Sequence, residues 1–238
     1  MSAKVLFNVL AKDLENAKEI SQFDASRVLV GVMVKNFATN EEAIERVKSY
    51  MDEGILASVG LGAGDPKQWK RVADVAAATC PYHINQVLPA AGYTLGKLSV
   101  VHKGDYLVNS LIEPSEEVGK VYMTTGAVSQ ELKEAVSCEM AAKYMADIGL
   151  PSVKFFPIEG TKKLDHVRAM VKAAVKEGIT TFEPTGGIDM ENVYEIVKVC
   201  IEEGAETVIP HLYTSLVDKE TGKTKPEYLK ELLEMKWD

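Results

Sequence analysis

Short apolar runs alternate with stretches in which apolar residues return every three or four positions, and this rhythm repeats along most of the chain. RVLVGVMV from Arg27 reads as a strand, and TNEEAIERVKSYMDEG from Thr39 as the helix after it, with Ala43, Ile44, Val47, Tyr50 and Met51 on one face. Thr39 and Glu42 form a capping box at its start, and Gly54 marks its end. ILASVGLG from Ile55 and DPKQWKRVADVAAAT from Asp65 repeat the unit, with Asp65 as N-cap, Pro66 in the first turn and Gln68 completing a box. YHINQVL from Tyr82 and YLVNSLI from Tyr106 read as further strands, with a Gly-containing, weakly helical segment between them. KVYMTTG from Lys120 follows after only a short polar turn and departs from strict strand and helix alternation. A helix carrying Leu132, Ala135, Met140, Tyr144, Met145 and Ile148 then ends near Gly149 and leads to SVKFFP. Two more units follow: Leu164 to Ala174, ending at Gly178 before TTFEPTGG, and Val193 to Ile201, ending at Gly204 before TVIPHLY.

At the start of the chain Val5, Leu6, Val9, Leu10, Leu14 and Ala17 recur at helical spacing, which predicts an N-terminal helix lying across one end of the fold. The remaining runs number eight. Eight apolar strands with helices between most of them, and no Pro/Ser-rich linker, favour a closed parallel (β/α)8 TIM barrel over an open doubly wound sheet. The expectation is therefore an α/β fold, one barrel domain over residues 1–238 with an N-terminal helix. In either architecture a ligand sits at the C-terminal ends of the strands.

Composition narrows the function. The chain has 238 residues, is 46% hydrophobic and carries a formal net charge of −8. That length suits one large core, and the charge disfavours a broad nucleic-acid or anionic-membrane surface. Any anionic substrate must be held by local features. Cys80, Cys138 and Cys200 lie far apart with no metal-ligand spacing, as reduced thiols of a cytoplasmic protein would. The first residues lack the pattern of a secretory signal, and no apolar run approaches transmembrane length.

Candidate chemistry collects where the strands stop. Alternation in SVKFFP puts Val153 and Phe155 on one face and Lys154 on the other, so if the first pair faces the helices, Lys154 points into the barrel. A desolvated ammonium has a lowered pKa, and the free amine is the form that attacks carbonyls. In FEPTGGID, Thr185, Gly186 and Gly187 end the seventh strand just before a helix, where two glycines let an anionic ligand approach backbone N–H groups. Glu183 and Asp65 are the candidate proton carriers, although Asp65 equally fits a plain N-cap. Lys35 and His211 are placed where they can meet an anionic group of the ligand, with solvated and structural roles as their alternatives. Gly60, Gly62 and Gly64 resemble a dinucleotide fingerprint only superficially, lacking its spacing and partner acid. His83, His102, His166 and His211 show no paired ligand spacing, so no metal and no cofactor is expected.

Lys154-Phe155-Phe156-Pro157 and Pro184-Thr185-Gly186-Gly187-Ile188 resemble the two signature segments of the 2-keto-3-deoxy-6-phosphogluconate (KDPG) and 4-hydroxy-2-oxoglutarate aldolases. Over nearly its full length, including SVGLGAGDPKQW and VIPHLYTSLVDKETG, the chain is similar to a distinct branch, the KDGP aldolase family of bacterial sugar-acid and glucosaminate breakdown. The resemblance implies a class I retro-aldol cleavage of a phosphorylated keto acid, with Lys154 forming the Schiff base and the Thr185–Gly187 segment binding phosphate. It gives pyruvate and glyceraldehyde 3-phosphate from 2-dehydro-3-deoxy-6-phosphogluconate. The alternatives are 4-hydroxy-2-oxoglutarate cleavage and a non-catalytic sugar-phosphate-binding barrel. A homo-oligomer is also implied. The better-known branch carries its catalytic glutamate and an arginine on the second strand, and LASVGLGAG has neither, so Glu183 and Asp65 are local readings and not inherited ones.

Overall fold

In the computed structural model, which describes residues 3–237, parallel strands run in order round a closed ring. Strand β1 comes in two pieces, Lys4–Val5 and Phe7–Leu10, and is followed by β2 (Val28–Met33), β3 (Leu56–Gly60), β4 (His83–Val87) and β5 (Leu107–Pro114). Strands β6 (Ser152–Phe155), β7 (Thr181–Pro184) and β8 (Thr207–Val208) complete the ring. One piece of β1 pairs with β8 and the other with β2, which closes the barrel. The seam continues above β8: Asn8 N donates to Pro210 O at 3.1 Å, and Leu212 N to Asn8 O at 2.9 Å.

Helices α1 (Leu14–Ser21), α2 (Asn40–Asp52), α3 (Trp69–Thr79), α4 (Leu88–Val101), α5 (Cys138–Ile148), α6 (Leu164–Lys176), α7 (Val193–Glu202) and α8 (Pro226–Glu234) each follow one strand. The cap signals act where the sequence puts them. Thr39 accepts from Glu42 N at the start of α2, and Asp65 accepts from Lys67 N in the turn before α3.

Two expectations need correction. The N-terminal apolar segment is strand β1 and not a helix; helix begins only at Leu14, capped by Asp13. Every residue from Val5 to Val9 is buried, because a barrel strand packs on its interior and on its helices at once and so loses the alternation that marks a one-faced strand. KVYMTTG is also not a barrel strand. Lys120–Tyr122 pairs antiparallel with the end of β5 and with Ala135–Ser137, forming a hairpin excursion between β5 and α5. The sequence count of eight thus exchanges one strand for another, and β6, β7 and β8 keep their rank. Helix α5 starts at Cys138 with Ser137 as its cap, so Leu132 and Ala135 precede it.

The barrel lumen has two characters. Leu6, Leu29 and Ile209, with Leu56, Tyr82 and Leu107, form an apolar plug. Above it, Asn8, Ser58, His83, Asn85, Asn109, Ser152, Lys154 and Glu183 are all buried. A barrel centre this polar holds together only if its groups satisfy one another.

Candidate active site

Strand β6 presents Val153 and Phe155 to the core packed under the helices, and Phe155 meets Phe182 of β7 with ring centroids 5.9 Å apart. Fixing that pair outward turns Ser152 and Lys154 inward. Lys154 is 8% exposed, and its Nζ lies 2.9 Å from Asn85 Oδ1 and 3.2 Å from His211 Nδ1. Burial pushes its pKa down to about 8, with the charge of Glu183 offsetting part of the fall. As a free amine, Lys154 uses both of its hydrogens on these two acceptors, and its lone pair is left for the pocket.

The hydrogen bonds beneath it have fixed directions. Ser58 Oγ accepts from Asn8 Nδ2 and Asn85 Nδ2, each at 2.9 Å, so its own hydrogen goes to His83 Nδ1 at 2.8 Å. His83 then carries its hydrogen on Nε2 and donates it to Glu183 Oε2 at 3.0 Å. His211 Nε2 donates to the same oxygen at 2.8 Å and Asn109 Nδ2 at 2.7 Å, while Ser152 Oγ donates to Oε1 at 2.6 Å. Burial alone would raise the pKa of Glu183, but the two histidines outweigh it and hold the carboxylate ionised well below the usual range. With Nε2–H committed to Glu183, His211 offers Nδ1 to Lys154 as an acceptor. Burial and the charge of Lys154 lower the His211 pKa to about 3, so this imidazole is neutral in the resting state.

A pocket of about 60 Å³ opens above the lysine, lined by Asn85, Gln86, Leu111, Lys154, Phe156, Thr185, Tyr213 and the loop Gly60–Gly64, among others. Of the residues singled out from sequence, Lys154 and Thr185 line it. Glu183 lies below it, fully buried, and connects to Lys154 through His211 and, on the other side, through Asn109 and Asn85. Asp65 and Lys35 stand at the rim as an ion pair, Nζ to Oδ2 3.1 Å. Burial favours the protonated form of Asp65, yet Lys35 and the Lys67 N–H bring its pKa below the ordinary value. Gly186 and Gly187 pack on the loop after β6: Gly160 N donates to Gly186 O at 2.9 Å and Ile158 N to Thr185 O at 2.9 Å. Gly187 has φ +71°, and a Cβ there would stand 2.6 Å from Gly160 N. The glycines therefore serve close backbone contact as well as ligand approach.

Asn85, Asn109, His83 and Tyr213 were not read as site residues. His83 and Asn85 alternate onto one face of β4 and Asn109 pairs beside Asn85 on β5, but only ring closure brings Glu183 and His211 to them. His83, Glu183 and His211 also place potential metal-ligand atoms within 4.8 Å of one another. In this geometry both imidazole Nε2–H groups and an amide already donate to the one shared oxygen, so the cluster is built as a hydrogen-bonded anchor.

The sequence model of the KDGP aldolase family matches residues 1–220. The chain belongs to the KDGP aldolase family. A 2-dehydro-3-deoxy-phosphogluconate aldolase of Salmonella typhimurium (strain 14028s / SGSC 2262) is 41% identical over 233 residues, covering 98% of this chain and 94% of that protein. Solved structures extend the likeness of this KDGP aldolase family member to the fold alone. N-(5'-phosphoribosyl)anthranilate isomerase from Pyrococcus furiosus superposes with TM-score 0.57 at 14% identity, covering 96% of both chains. Thiamine phosphate pyrophosphorylase from the same organism gives 0.55 at 11% identity, covering 97% of this chain and 94% of that one.

Proposed function

We propose that the protein is a class I aldolase that cleaves 2-dehydro-3-deoxy-6-phosphogluconate to pyruvate and glyceraldehyde 3-phosphate. The observation that carries this reading is the Lys154 amine, desolvated at the floor of a pocket and hydrogen-bonded through two acceptors that leave its lone pair free. Family membership and the name of the Salmonella relative supply the substrate.

In this reading His211 Nδ1 accepts the proton that the Lys154 ammonium must lose. The lysine charge that depresses His211 disappears with that transfer, and Glu183 stabilises the imidazolium. The free amine attacks the keto carbon, water leaves, and the iminium draws electrons from the neighbouring carbon–carbon bond as it breaks. Glyceraldehyde 3-phosphate departs, the enamine is protonated, and hydrolysis releases pyruvate. Thr185, Gly186, Gly187 and Lys35 bind the anionic end of the substrate; their place at or beside the pocket mouth supports that role. Glu183 acts through His211 and not on the substrate. Asp65 orients Lys35.

Three unpaired cysteines support a reducing, cytoplasmic setting, and no helix among the described residues is long and apolar enough to cross a membrane. A homo-oligomer is supported by exposed Tyr93, Val128, Leu132, Met140 and Tyr144 on and between α4 and α5.

The experiment is direct cleavage of the phosphorylated keto acid. Wild-type protein releases pyruvate and the aldehyde in equal amounts, a chelator leaves the rate unchanged, and Lys154→Ala abolishes it. Cleavage by Lys154→Ala, or loss of rate with chelator, would contradict the proposal.

A further inference from the structure

The reaction needs a group that touches the substrate and moves its protons, and the pocket leaves little choice. Gln86 is spent: its Nε2 donates to Trp69 O and Thr94 Oγ1, and its Oε1 accepts from Val87 N. Asn85 binds Ser58 through its amide nitrogen, and Lys154 and Asn109 through its oxygen. Thr185 Oγ1 donates to Glu183 O at 3.2 Å. Met33, Leu61, Leu111 and Phe156 are apolar, and Glu183, His211 and Asp65 do not line the pocket. Tyr213 remains. It lines the pocket, and its hydroxyl has no hydrogen-bond partner among the described residues and is not among the buried unpaired atoms, so it is free to meet a ligand. The Lys154 Nζ lies 5.8 Å from the centre of its ring. Gly31 of β2 lies beside that ring: a Cβ there would be in ordinary contact with the tyrosine at 3.7 Å and tight against Leu10 at 3.0 Å.

Resting on the Schiff-base reading, we propose that Tyr213 is the catalytic acid and base acting on the substrate. The phenol first donates its proton to the carbinolamine hydroxyl, which leaves as water as the iminium forms. The phenolate then takes the proton of the hydroxyl on the carbon that becomes the aldehyde; the bond from that carbon to the one beside the iminium breaks, and its electrons pass to the iminium, giving the neutral enamine and the aldehyde. The re-formed phenol protonates the enamine carbon, and the phenolate takes a proton from the water that hydrolyses the product iminium. One water leaves and one enters, and tyrosine ends protonated. Burial and the charge of Glu183 raise the pKa of the phenol, which keeps it protonated at the start of the cycle.

The test uses pyruvate alone in deuterated water, with and without borohydride. Wild type forms a reducible adduct and exchanges the pyruvate methyl protons for deuterium. Tyr213→Phe is expected to form the reducible adduct more slowly but still detectably, while methyl exchange and substrate cleavage each fall about 10²–10⁴-fold. Exchange and cleavage by Tyr213→Phe within about threefold of wild type would overturn the assignment alone. So would a Tyr213→Phe protein that forms the adduct at the wild-type rate, because the first transfer assigned to the phenol is to the departing carbinolamine hydroxyl. Absence of adduct in active wild type would instead overturn the Schiff-base reading, and this assignment with it.

Discussion

Lys154 was legible in the sequence because strand alternation sets it opposite the apolar pair Val153 and Phe155, whose packing against the helices turns it inward. Its environment was not, since Asn85 comes from β4 and His211 from the segment just past β8, and the two carry no shared spacing. Glu183 was legible as an oddity between Phe182 and Pro184, yet its role changed once its four donors were seen. Two predictions belong at this scale. Adduct formation should accelerate with pH up to about 8 and level off above, because the free amine is the reactant. The same shift acts on stability: between about 8 and the ordinary 10.5 the unfolded chain holds a proton that the folded one lacks, so this lysine's destabilising effect shrinks as pH rises through that window. Lys154→Met should therefore stabilise the fold near pH 7, by about 3 kcal/mol at most, and lose the advantage above that window; denaturant melts at both pH values measure it. Glu183→Gln removes the charge that raises the lysine's pKa. Its adduct profile should shift to lower pH while turnover falls at least about tenfold, and an unchanged profile would remove Glu183 from the relay.

At the level of elements, helices with caps and glycine stops and most barrel strands were readable from their own residues, whereas β1 was not. VLFNVL of β1 has apolar residues on both sides, and its spacing with Leu14 and Ala17 imitates a helix. KVYMTTG has strand chemistry, and only pairing shows that it leaves the barrel. The Gly60–Gly64 loop was set aside as a poor nucleotide motif, and it forms one wall of the pocket. The loop after β6 and the Thr185–Gly187 turn test this level. In Gly187→Ala the added Cβ faces backbone of Gly160 and Glu159 at 2.6 and 3.0 Å and must displace it. A loss of about 1–3 kcal/mol in stability is expected. KM for the phosphorylated substrate should rise at least about tenfold while the pyruvate adduct forms normally. An unchanged KM would separate this turn from phosphate binding.

Across the whole molecule, the barrel brings residues from six strands, and one from just past β8, into one lumen and spends them on a single directional network. Asn8 of β1, Ser58 of β3, His83 and Asn85 of β4, Asn109 of β5, Ser152 and Lys154 of β6 and Glu183 of β7 converge, with His211 just past β8. The apolar plug below excludes water, and the acceptors above Glu183 present one amine to one pocket. An acidic protein with net charge −8 can thereby handle an anionic substrate without a basic surface. The central claim is that this amine becomes covalently bound to the substrate carbon. Borohydride reduction in the presence of pyruvate, followed by peptide mass mapping, measures it most directly. A single reduced adduct on the peptide containing Lys154 is the predicted result; a protein fully active in cleavage that yields no adduct, or one on another lysine, would contradict the account.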